Sequence, residues 1–181
     1  MARELNKFAA SYARLAPALK TFSEEERAAH STRVKLANSN ATEGENVVTE
    51  SMAKARRNGV TGSALADFMK DRDFKEAVTL WTKAAKELDE KLADYDAWAA
   101  KIAKPQAELE KLLKDIEKDL KSRGSGSGSK SDIEELRDRI TADLKMLKKS
   151  AAGPGQVLPA VRGYAKNLDK TLAKLIKASP A

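Results

Sequence analysis

The chain has 181 residues, enough for one domain with a core of its own. Charged residues make up 34% and aromatic residues 5%, a balance that suits packed helices and argues against an all-β fold. With no cysteine and one histidine, disulfides and thiolate chemistry are excluded, and any imidazole chemistry would have to rest on His30 alone.

The net charge of +7 is unevenly spread. Residues 1–123 hold 23 basic and 21 acidic side chains, whereas beyond Leu144 there are 8 basic side chains against one acid, Asp169. The basic character therefore belongs to the C-terminal part. No stretch approaches the roughly 20 apolar residues of a membrane span. The first residues carry a charge every third or fourth position and lack the apolar run of a signal peptide. The expectation is a cytoplasmic protein, with export by a signal-independent route left open.

In chain order, Leu5, Phe8, Tyr12, Leu15 and Leu19 recur at helical spacing and predict a short amphipathic helix, interrupted or bent at Pro17. Ser23 followed by Glu26 is a capping-box pattern, so a second helix should begin there and run to about Arg57, with Gly59 as its stop. Its interior, HSTRVKLANSNATEGENVVTES, is poor in large apolar residues and holds Gly44 at its centre. Such a segment either packs closely through small residues or breaks near Gly44; the helix is the favoured reading. NGVTGS at 58–63 reads as a turn, followed by a short helix containing Leu65, Phe68 and Met69.

The clearest periodicity follows. Phe74, Val78, Trp81, Ala85, Leu88, Leu92, Tyr95, Ala99 and Ile102 alternate spacings of four and three, and the phase continues through Gln106, Leu109, Leu113, Ile116 and Leu120. Pro105 lies inside this run, yet the phase survives it, which predicts one kinked helix over about 73–122. Residues 124–129 then read GSGSGS, with three of the chain's nine glycines. A Gly-Ser repeat offers neither packing nor a defined turn, so the segment 124–130 reads as an engineered join between 1–123 and 131–181. Ile133, Leu136, Ile140, Leu144 and Leu147 give the next helix its stripe, AAGPGQ breaks it, and a last basic amphipathic helix should span about 157–178.

Carboxylates cluster at Asp67, Asp71, Asp73 and Glu76 and again at Asp89, Glu90, Asp94 and Asp96, each interleaved with Lys or Arg. That is the pattern of a solvated helix face. Neither GxGxxG nor GxxxxGK[ST] is present. The reading is non-enzymatic, with no catalytic residues, no metal and no cofactor.

The expected fold is all-α: an elongated helical bundle or antiparallel coiled-coil hairpin with shorter helices packed on it. The expected function is that of a helical interaction protein (a scaffold, adaptor, chaperone or secretion-system component) whose partner is a protein bound by helix packing, or a second copy of the chain. The two segments joined by GSGSGS could themselves be partners. The alternatives are a module that binds or remodels anionic membranes and a nucleic-acid-associated protein. Candidate contacts with a partner or anionic surface are Arg162, Lys166, Lys170, Lys174 and Lys177 on the last helix, with Lys145, Lys148 and Lys149 before it. Trp98 and Leu112 fall off the heptad seam; they mark either packing against another helix or an exposed apolar contact.

Overall fold

The computed structural model describes residues 2–122 and 129–152 together with Val161, Arg162, Asn167 and Lys170. The protein is an all-α helical bundle. Seven helices follow one another among the described residues: α1 (Ala2–Ala13), α2 (Ala16–Thr21), α3 (Glu24–Arg57), α4 (Gly62–Lys70), α5 (Arg72–Ala100), α6 (Ala103–Ser122) and α7 (Ser129–Ala151).

Local sequence sets their ends. Pro17 separates α1 from α2 and sits in the first turn of α2, where a missing N–H costs no hydrogen bond. Ser23 Oγ accepts the Glu26 N–H at 3.3 Å, and three glutamates occupy the positive end of α3. At the other end the Val60 N–H donates to the Ala55 carbonyl at 3.1 Å and the Gly59 N–H to that of Arg56 at 3.0 Å. Gly59 has φ 76°, the left-handed residue this Schellman stop requires. Between these caps α3 runs unbroken for 34 residues, straight through Gly44.

The run expected as one kinked helix over 73–122 is two helices. After Ala100 the bonding tightens: the Lys101 N–H donates to Trp98 O at 3.2 Å and the Ile102 N–H to Ala99 O at 3.0 Å. Pro105 falls in the first turn of α6, again where its missing donor is harmless. The phase nonetheless carries across the break, because Ile102, Leu109 and Ile116 are all fully buried.

The chain divides into two compact units, Met1–Ala29 with Asp96–Gly155 and His30–Tyr95 with Gln156–Ala181. Ser129 and Lys130, expected in the linker, open α7, and α7 belongs to the first unit. Of the hexamer, only Ser129 is among the described residues. The helix expected over 157–178 lies outside them except at Val161, Arg162, Asn167 and Lys170.

In the first unit α7 packs mainly on α6, and α1 on both. Ile133, Ile140 and Leu147 are fully buried on the α7 stripe; each such side chain contributes about 1.5–3 kcal/mol by leaving water. Lys148 of α7 meets Glu110 of α6 at 3.4 Å. If the two helices were parallel, that contact would place Ser122 and Ser129 on the order of 45 Å apart, whereas the residues between them reach about 25 Å at most. The pair is therefore antiparallel. Trp98 and Phe22 pack with ring centres 5.6 Å apart, and the Trp98 Nε1–H donates to Thr21 O at 3.1 Å.

In the second unit α3 lies antiparallel to α5: Gly44 faces Trp81, and the His30 ring meets that of Tyr95 edge-on at 6.0 Å. The α3 side of the core is built mostly of small residues and valine, with Ala37, Ala41, Val34 and Val48 all buried. The α5 side supplies the bulk, with Trp81, Leu88 and Tyr95 almost wholly excluded from solvent. A Cβ at Gly44 would stand 3.0 Å from Trp81 Cα. Glycine in a helix interior costs about 1 kcal/mol relative to alanine; here it permits the close approach of the α5 backbone. Val48, Met52, Leu65 and Phe74 continue this core, with α4 closing its end.

Candidate protein-interaction surface

The basic residues singled out by sequence are exposed where they are described. Lys145, Lys148 and Lys149 line the end of α7, and Arg162 and Lys170 are exposed as well. Lys166, Lys174 and Lys177 lie outside the described residues. Lys148 and Lys149 face carboxylates inside the first unit: Lys148 pairs with Glu110, and Lys149 Nζ donates to Glu24 Oε1 at 2.7 Å. The hydrogen bond from Lys149, joined by the Arg27 guanidinium, holds the Glu24 carboxyl below the usual carboxylate range. Glu110 is lowered in the same direction by hydrogen bonds from Gln106 and Lys148. These two lysines make surface ion pairs between helices.

The reading of Trp98 and Leu112 as exposed contacts is corrected by the structure. Both are buried, each 8% exposed. The heptad seam describes a helix with one neighbour, but α6 has two, α1 and α7. Leu112 lines clefts with Phe8 and Leu15 from the α1 side, and Trp98 is taken up by Phe22 and the Thr21 carbonyl.

The carboxylate clusters at 67–76 and 89–96 are exposed throughout, as a solvated face should be. Lys70–Asp67, Lys86–Glu90 and Lys91–Asp94 are ion pairs along single helices. His30 is half-buried against Tyr95. Among the described residues no group of three or more His, Cys, Asp or Glu side chains could hold a metal ion, and no helix is long and apolar enough to cross a membrane.

What the sequence did not single out is a groove on the second unit between α3 and α5. It is lined by Gly44, Val47, Ala77 and Leu80 together with the polar Asn40, Glu43, Asp73 and Glu76. Val47 is 48% exposed and Leu80 61% exposed, and Leu36, one turn before Asn40, is 63% exposed. The signal was present as doublets. In Val47–Val48 and Leu80–Trp81 neighbouring side chains point about 100° apart on a helix, so when Val48 and Trp81 fill the core, Val47 and Leu80 turn outward.

No protein-family model, no curated protein and no solved structure matches this chain.

Proposed function

We propose that this protein is a non-enzymatic helical interaction protein, a scaffold or adaptor, which takes a partner helix into the α3–α5 groove. The observation that carries the reading is the exposure of Val47 and Leu80 on a unit that buries its other large side chains at that level, Val48 and Trp81. An apolar trough between two helices is the shape into which an amphipathic helix lays its apolar face. Gly44 and Ala77 line the trough beside Val47 and Leu80. The pairing of Lys148 and Lys149 with carboxylates of their own unit gives the membrane and nucleic-acid alternatives less support.

Selection of amphipathic helices from a displayed library, against the full chain, tests this. Selected helices should lose binding when Val47 and Leu80 are both changed to Ser, substitutions at exposed positions that should leave the helical circular dichroism unchanged. Binders indifferent to that double variant would contradict the proposal.

A further inference from the structure

Resting on that reading, the geometry points to the chemistry of the partner: a basic amphipathic helix of another protein, with lysines or arginines flanking an apolar stripe. The groove continues toward α4, where Val47, Asp73 and Ala77 also border a hollow lined by Val60, Phe68 and Phe74. Along both stretches the bordering carboxylates are Glu43, Asp71, Asp73 and Glu76, and the bordering cation is Lys54. The chain as a whole is basic, with 34 Lys and Arg against 27 Asp and Glu. Four carboxylates against one ammonium therefore reverse the sign of the molecule at its apolar groove.

The placement of these acids suits a helix lying lengthwise. Glu43 lines the groove from α3 and Glu76 from α5, together with the apolar Val47, Ala77 and Leu80. A docked helix that sets its apolar stripe on Val47, Ala77 and Leu80 would carry its flanking positions toward the two borders. Cations there meet carboxylates on both sides, whereas an acidic helix meets like charge on both sides. Asp71 also caps α5, its Oδ1 accepting the Asp73 N–H at 2.9 Å, yet its side chain remains at the surface. A second copy of this chain would bring the same acidic borders to its own face, which disfavours a symmetric dimer through this groove. Complementary charge of this kind sets which partner is accepted and how fast it arrives.

The test uses the full chain and two synthetic helices of about 18 residues, five turns, one of Leu, Ala and Lys and the other with every Lys replaced by Glu. Fluorescence anisotropy of the labelled peptides reads binding. The Lys peptide should bind, and its affinity should fall several-fold between about 50 and 300 mM salt as screening shortens the reach of the borders. The double variant Glu43→Lys, Glu76→Lys should weaken the Lys peptide by at least about tenfold and admit the Glu peptide. Leu80→Ser should weaken whichever peptide binds. Equal binding of both peptides, or Lys-peptide binding indifferent to the charge reversal, would overturn the assignment. Binding of the Glu peptide that is lost in Leu80→Ser would overturn the basic partner and leave helix docking standing. Binding of neither peptide would overturn both.

Discussion

The chain's two tryptophans sit in different units and are held differently. In the first unit the Trp98 Nε1–H finds the Thr21 carbonyl, and polar clasps tie one helix to another around it: Tyr12 to Asp143, Lys148 to Glu110, Lys149 to Glu24, and Ser150 Oγ to the Phe22 carbonyl. In the second unit Trp81 is wholly buried, its Nε1–H finds no hydrogen-bond partner among the described residues, and its backbone lies against Gly44. The ion pairs Lys70–Asp67 and Lys86–Glu90 of that unit each run along one helix. Directional bonds thus link helices in the first unit, and a close steric fit between a small-residue helix and a bulky one shapes the second. The groove is a product of that fit: small residues on α3 leave part of the α5 surface uncovered.

This contrast can be broken or sharpened by substitution. The largest effect is expected for Trp81→Ala, which empties a fully buried site and should cost about 3–5 kcal/mol in chemical denaturation. Gly44→Ala comes next. Its gain in helix propensity is about 1 kcal/mol, but a Cβ at 3.0 Å from the Trp81 backbone has nowhere to go, and overpacking costs about 1–3 kcal/mol. Net destabilisation of about 1 kcal/mol should follow; a net gain would show slack between α3 and α5 and dissolve the contrast. In the first unit Ser150→Ala removes the buried bond to the Phe22 carbonyl and should cost about 1 kcal/mol.

The smallest effect concerns pH. Burial, with the hydrogen bond to Asp143 behind it, pushes the Tyr12 hydroxyl up from 10.0 to about 12. A pKa raised on folding favours the protonated phenol, so this contribution is complete below about pH 10 and is lost as pH rises toward about 12. Tyr12→Phe should flatten the alkaline fall in stability over that window and leave the neutral-pH pH-dependence unchanged, as denaturant midpoints at successive pH values would show.

Much of this architecture was legible in the sequence. The four-three spacing from Phe74 to Tyr95 and the stripe from Ile133 to Leu147 name buried residues almost without exception, because a helix with a 3.6-residue period must place them on one face. The Ser23 cap and the Gly59 stop were readable because capping is local chemistry. What was not legible depends on the number of neighbours. Leu112–Leu113 in α6 and Leu80–Trp81 in α5 are the same kind of doublet. In α6 both leucines are shielded, since α1 and α7 flank the helix; in α5 Leu80 lies open. Gly44 was ambiguous for a related reason: a helix-weakening residue is tolerated where a neighbouring backbone needs its space, and that neighbour, Trp81, is distant in the chain. The phase carried across Pro105 misled, because its continuity does not require a continuous helix when a short turn preserves the register.

The measurement that bears most directly on the account is amide hydrogen exchange on the full chain, with and without the Lys-bearing peptide. The groove at residues 40–47 of α3 and 73–80 of α5 should gain protection on addition of peptide. The clefts between α1 and α6, bordered by acids and lysines together and floored by Phe8 and Leu112, should stay unchanged. Protection confined to the second unit is the predicted result. Protection at residues 108–119 with none at 40–47 and 73–80 would contradict the account.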